Sequence, residues 1–272
     1  MRSLDSYFPT RSQYDIAANY IVECCTDLEK NKKIESAFFY GSYAINEHVA
    51  GFSDIDVFLA LPTERIELEL YSDLNTLSNE VARQFDINCN YQIRGGDVRV
   101  EPFIAWLLGE YNKPIIGEDP KIILHVDALE EDYLRYGASF AQRIVPKYIS
   151  ELRKVLLQMG PTRQTFKNVA LPPSFRCKEI DYRIEKASLV IDRVLDIVMY
   201  GNLFWREFAY RRLSFVEMGV RNFEQIISEP EIIERCFELR LNWGKNELGD
   251  LEKLIRSAPL FVEEIDDWMR KR

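Results

Sequence analysis

Asp54 and Asp56 flank Ile55 and lead straight into the apolar run Val57-Phe58-Leu59-Ala60-Leu61. A run of this length, rich in branched and aromatic residues, reads as a buried strand. Side chains on a strand alternate faces, so the two carboxylates point the same way. Side by side they repel, and desolvating them is costly unless a divalent cation sits between them. For all-oxygen ligands that cation is Mg2+. Twelve residues before Asp54 stands Ser42, preceded by Gly41, at the end of the short run Ser36-Ala37-Phe38-Phe39-Tyr40. A Gly where a strand turns into a helix lets the backbone approach a ligand, and the amides that follow, with the Ser42 hydroxyl, face an anion. Carboxylates for a metal beside amides for a phosphate suit a metal-bound nucleoside triphosphate.

The elements that must hold these groups are legible around them. Ser12 to Leu28 has apolar residues at helical spacing, with Ser12 as N-cap, and reads as a helix backing the sheet. Residues 46–52 form a loop between the two strands. Pro62 closes the two-Asp strand, and Thr63 caps a helix over 64–84. Residues 85–93 alternate, with Asp86, Asn88, Asn90 and Gln92 on one face and Ile87, Cys89, Tyr91 and Ile93 on the other. Gly95-Gly96-Asp97 is a turn signal that makes 93–100 a hairpin. Residues 103–111 read as a helix. Pro114, Gly117 and Pro120 mark an exit from the first domain.

Beyond that point the periodicity is helical, over 127–154, 179–200, 205–221, 231–241 and 248–271. The expected class is therefore α+β: residues 1–120 a mixed β-sheet with helices, residues 121–272 an all-α bundle that walls a cleft and carries acceptor specificity.

Gly41-Ser42, the loop with Gly51, and Ser53-Asp54-Ile55-Asp56-Val57 together resemble the signature of the polymerase-beta-type nucleotidyltransferase superfamily. The nearest likeness is to the aminoglycoside adenylyltransferase-like proteins, which carry a helical domain after the catalytic one. The resemblance covers roughly the first 120 residues. It implies Mg2+ held by Asp54, Asp56 and a third carboxylate, and a nucleotide on Gly41, Ser42 and Ser53. The reaction implied is transfer of a nucleoside monophosphate, AMP from ATP, to a hydroxyl with release of pyrophosphate. Asp86 matches the position of the third carboxylate, as metal ligand and as the base that takes the proton of the attacking hydroxyl. Glu101 and Asp97 are the alternatives. Where many members have Arg and Gly after the Gly-Ser, this chain has Tyr43-Ala44-Ile45-Asn46-Glu47, so the triphosphate needs other cations.

Charge and composition bound the partners. The net charge is −9, and it is uneven: 10 basic and 20 acidic residues in 1–120, 25 and 24 in 121–272. An acidic first half suits a metal and a cationic acceptor and argues against a protein that grips nucleic acid along its whole surface. Five cysteines without a C-x-x-C pair, and two histidines, exclude a disulfide framework and a zinc cluster. No signal peptide and no run of membrane-spanning length is visible, so the expected place is the reduced cytoplasm with no membrane partner.

Two stretches bear on the acceptor. Asp127, Glu130, Glu131 and Asp132 open the first helix of the bundle, as dipole partners or as the contact for a polyamine-like acceptor. Residues 143–186 carry ten basic and four acidic side chains. Arg163, Lys167, Arg176 or Lys178 could hold triphosphate oxygens in place of the family's Arg, or touch RNA. The expected acceptor is a small hydroxylated molecule such as an aminoglycoside-like antibiotic, which would make the protein an antibiotic-resistance enzyme. The rivals are a protein or tRNA acceptor, of toxin–antitoxin or defence type, and a catalytically inactive nucleotide-binding regulator.

Overall fold

The first helix begins at a capping box. Thr10 accepts from the Gln13 backbone amide, and the Gln13 side chain returns the bond to the Thr10 amide. This places the N-cap two residues before the Ser12 expected from sequence. The structure is a computed structural model that describes residues 9–63, 67–95, 100–126, 130–157 and 182–271. These fall into two compact units, residues 9–126 and residues 130–157 with 182–271. The protein is α+β: a mixed sheet with helices, then a helical region.

In the first unit the order is α1 (Arg11–Lys30), β1 (Ser36–Tyr40), α2 (Gly41–Ala44), β2 (Ile55–Leu61), α3 (Leu68–Phe85), β3 (Cys89–Gly95), α4 (Pro102–Glu110), β4 (Lys113–Ile116) and α5 (Pro120–Ile123). The sheet order is β3-β2-β1-β4. β1 is antiparallel to both neighbours, whereas β2 and β3 are parallel, joined through α3. Alternation divides the sheet between two cores. Ala37, Phe39, Ile55, Val57, Leu59 and Leu61 pack toward α1 and α3. Phe38, Phe58 and Ala60 face Ala105 and Leu108 of α4 and Leu124 after α5. The Phe38 and Phe58 rings stack at 4.7 Å.

Several boundaries differ from the sequence reading. α3 starts at Leu68 with Glu67 at its N-cap; residues 64–66, where the helix was expected to begin, lie outside the described residues. β3 starts at Cys89, not Phe85, because α3 runs on through Phe85 and ends at Asp86 in the left-handed conformation (φ 59°). Residues 96–99, the tip of the expected hairpin, lie outside the described residues. Lys113–Ile116, within the stretch read as the exit of the first domain, forms an edge strand on β1 that the sequence reading did not include. An edge tolerates Pro114, whose missing N–H would break a ladder inside a sheet. Gly117 (φ 86°) ends it against β1, where a Cβ would stand 2.0 Å from Ser36 Oγ.

The second unit comprises α6 (Glu130–Leu157), α7 (Tyr182–Gly201), a 3₁₀ turn (Asn202–Trp205), α8 (Arg212–Phe223), α9 (Glu231–Leu241), a second 3₁₀ turn (Trp243–Lys245) and α10 (Leu248–Arg270). The expected helix over 205–221 is broken, because Arg206 takes a left-handed conformation (φ 58°) after the 3₁₀ turn. α7 is apolar around most of its circumference and packs against α6, α8, α9 and α10. Trp205 stacks on Trp268 of α10 at 5.4 Å. No helix among the described residues is long and apolar enough to cross a membrane.

Candidate active site

Three strand ends meet at one edge of the sheet. β1 runs into the Gly41 turn, and the antiparallel β2 starts beside it, so Tyr40 pairs with Asp56. β3, parallel to β2, starts at the same edge and pairs Asn90 with Asp56 from the other side. Groups far apart in sequence thus converge through topology alone. Asp54 and Asp56 lie on the β2 face that carries Phe58 and Ala60, and both are half-buried.

Gly41 is fitted against the pair. Its φ is 73°, a region that L side chains rarely adopt, and a Cβ there would stand 2.5 Å from Asp56 Oδ2. The glycine therefore lets the turn and the carboxylate touch. Ser42 follows in α2, half-buried, with its carbonyl accepting from the Glu47 amide at 2.8 Å.

Asn90 bridges the two acids. Its Nδ2 donates to Asp54 Oδ2 and, at 3.3 Å, to Asp56 Oδ1. The Asp56 carboxyl is held well above the usual carboxylate range, first by burial and then by the Asp54 charge, against the Asn90 amide that favours the ionised form. An acid pair in such surroundings gains most from a hard cation, and its donors are oxygens of the kind Mg2+ takes. Asp54 and Asp56 would hold such an ion.

The remaining site candidates sit elsewhere. Asp86 is the C-cap of α3, outside the strand, with its amide donating to Ala82 O at 3.1 Å. Glu101 is the N-cap residue of α4, where its carbonyl accepts from the Ala105 amide. Among the described residues no group of three or more His, Cys, Asp or Glu side chains is arranged to hold a metal. Neither Asp86 nor Glu101 forms such a group with the pair; Asp97 lies outside the described residues. The physical reason is the late start of β3. With Cys89 opposite Ile55, the residue beside Asp56 is Asn90. Asn90 falls on the polar face expected of residues 85–93, where local sequence points to no role for it. The parallel register, readable only once the strand start is known, singles it out.

Ser53 has a local task. Its Oγ accepts from the Val49 amide at 2.9 Å, its own amide donates to Val49 O at 2.9 Å, and its carbonyl accepts from the Tyr14 hydroxyl. It is 4% exposed and closes the loop that delivers Asp54. His48 sits in the same loop between the rings of Tyr14 and Tyr43, at 4.9 and 5.3 Å. Arg163, Lys167, Arg176 and Lys178, the basic side chains expected to reach a triphosphate, lie outside the described residues, as does Asp127. Glu130, Glu131 and Asp132 occupy the first turn of α6.

The site is thus a carboxylate pair at the start of a central strand of a mixed sheet, with the Gly41 turn packed on it. The family comparison is narrower. Residues 23–99 match the family model described as Polymerase beta, Nucleotidyltransferase, which supports a likeness of this part of the chain to the polymerase-beta-type superfamily. That span runs from within α1 to the residues just past β3 and contains Gly41, Ser42, Asp54, Asp56, Asp86 and Asn90. No curated protein matches the chain.

Proposed function

We propose that the protein is a Mg2+-dependent nucleotidyltransferase that moves a nucleoside monophosphate, AMP from ATP, to a hydroxyl of a small-molecule acceptor, releasing pyrophosphate. The observation that carries this reading is the contact of the Gly41 turn with the Asp54–Asp56 pair. With Gly41 packed on Asp56, the backbone of the turn would accept an anion beside carboxylates that would accept a cation. Asp54 and Asp56 hold the metal, and Gly41 and Ser42 take the β and γ phosphates. Mg2+ supplies charge neutralisation on the α-phosphate and on departing pyrophosphate. The fixed carboxylates orient the triphosphate for in-line attack, and Gly41 sets how closely the phosphates approach them. Asp86, at the C-cap of α3, remains the candidate for the base that takes the proton of the attacking hydroxyl.

The acidic excess of residues 1–120 favours a cationic, aminoglycoside-like molecule over a polyanion. Purified protein with labelled ATP, Mg2+ and a cell lysate, separated into small-molecule, RNA and protein fractions, tests this. Label in the small-molecule fraction, abolished by Asp56→Ala, is the expected result. Label in RNA or protein moves the acceptor class to the macromolecular one. A second reading, a nucleotide-binding regulator without transfer activity, is favoured by one observation: an amide, not an acid, bridges the pair. Tight Mg-ATP binding without pyrophosphate release over all fractions would establish it.

A further inference from the structure

Asn90 stands where the geometry of the site calls for a third ligand. It is level with Asp56 in the parallel register, on the adjacent strand, and its carboxamide touches both acids. An acid in its place would set three carboxylates in contact. An amide offers two opposite faces at one position: an N–H that carboxylates accept from, and an oxygen that a hard cation coordinates. A divalent ion held by Asp54 and Asp56 would repel the N–H and attract the oxygen, so the preferred orientation of the carboxamide would reverse.

Resting on the metal-site reading above, we infer that Asn90 is the third side chain of the cation site and works as a reversible clasp. Its Nδ2 holds the two carboxylates convergent. When the cation enters with the triphosphate, the carboxamide turns about its last torsion and presents Oδ1 to the ion. Two consequences follow. The protein contributes two negative charges to the ion instead of three, so the cation binds weakly alone and firmly as the nucleotide complex, whose phosphate oxygens complete its shell. The convergent geometry is also kept between turnovers, since the clasp replaces the cation as the group that offsets repulsion.

The test uses the full chain and three proteins: native, Asn90→Asp and Asn90→Ala. Binding of Mn2+ alone and of Mn2+ with ATP is followed by the electron spin resonance of the free ion, and thermal midpoints are measured in EDTA and in Mg2+. Asn90→Asp is expected to bind Mn2+ alone at least about tenfold more tightly than native, to melt lower in EDTA, and to gain more from Mg2+ than native does. Asn90→Ala is expected to lose about tenfold in affinity for the ion. In native protein, the Asn90 side-chain amide resonances should move when diamagnetic Mg2+ and ATP are added, which needs no variant to fold. Native binding that Asn90→Ala leaves within about twofold, or amide resonances that stay in place on saturation, overturns the role of Asn90 alone. Absence of Mn2+ binding by native protein, with and without ATP, overturns the metal site and the clasp together.

Discussion

Each unit of the protein brings acids together, and they are compensated in opposite ways. In the helical unit Asp196 and Glu151 both meet Arg193, with Glu151 Oε2 2.9 Å from Arg193 Nε, and Asp192 meets Arg240 at 2.8 Å. The Arg193 guanidinium also lies over the Tyr148 ring at 5.0 Å. In the sheet unit the group drawing Asp56 toward its ionised form is an amide, and its neighbour is another carboxylate. The chain can bring guanidinium groups to half-buried acids where a fixed structure is wanted. At the sheet edge it supplies a neutral amide instead, which leaves the charge of the pair for the cation that the proposed function requires. A resident arginine there would hold the fold and shut out the metal.

The largest way to break this comparison is to remove a carboxylate at the sheet edge and the guanidinium in the helical unit. Asp56→Ala, and separately Asp54→Ala, should cost at least about a thousandfold in nucleotidyl transfer, since charge stabilisation dominates this chemistry. Secondary structure should stay intact, because a repelling pair is relieved. An unchanged rate with either variant would remove the metal site from the account. On the other side, Arg193→Ala strips Asp196 and Glu151 of their guanidinium. The pairs are partly exposed, with side chains 15–28% accessible, so the expected loss is about 2–3 kcal/mol of stability by denaturant unfolding. Mg2+ affinity at the sheet edge should not change.

A smaller effect sharpens the geometry. Gly41→Ala puts a Cβ 2.5 Å from Asp56 Oδ2 on a backbone at φ 73°. The strain should cost about 1–3 kcal/mol. Because the clash displaces Asp56 itself, the loss of Mg-ATP affinity should exceed the tenfold or less that comparable strain produces at Gly117, where the crowded neighbour is Ser36. Gly117→Ala is therefore the control, read by calorimetric titration with Mg-ATP.

How much of this was legible in the sequence depends on range. The carboxylate pair, the Gly-Ser turn and the apolar strand after the pair lie within 21 consecutive residues, and local alternation was enough to read them. The third member was not readable that way. Asn90 is 34 residues from Asp56, and its place depends on where α3 stops. The alternation of residues 85–93 favours strand throughout, yet packing of α3 against α1 and the sheet carries the helix through Phe85, and Asp86 absorbs the reversal with a left-handed backbone. That shift exchanged an acid for an amide beside the pair. Lys113–Ile116 was missed for a similar reason: Pro114 reads as punctuation until an edge position excuses it. The Arg193 cluster gathers side chains from α6 and α7, and its members read locally as ordinary solvated charges.

The smallest effect separates the two regions by pH. Asp56 and Asp196 both hold their protons more tightly than an unfolded Asp does. For Asp196, burial outweighs Arg193 and raises the carboxyl from 3.8 to about 6; for Asp56, burial and Asp54 raise it well above 3.8. A folded state that binds more protons than the unfolded chain loses stability as pH rises. Each contribution is therefore fully present below about pH 4 and lost as pH climbs through the folded value. For Asp196, 28% accessible, that window is pH 4 to 6 and the loss about 1–2 kcal/mol after allowance for solvent screening. Mg2+ should act on one of them alone, since an ion at the sheet edge stabilises ionised Asp56 and cancels its share of the slope. Asp196→Asn should remove the other share and leave the Mg2+ effect in place. Hydrogen exchange read separately over residues 9–126 and 182–271, from pH 4 to 7, with EDTA or with Mg2+ and ATP, distinguishes them. A Mg2+ effect of equal size in both regions would mean that the cation does not bind where the carboxylates converge.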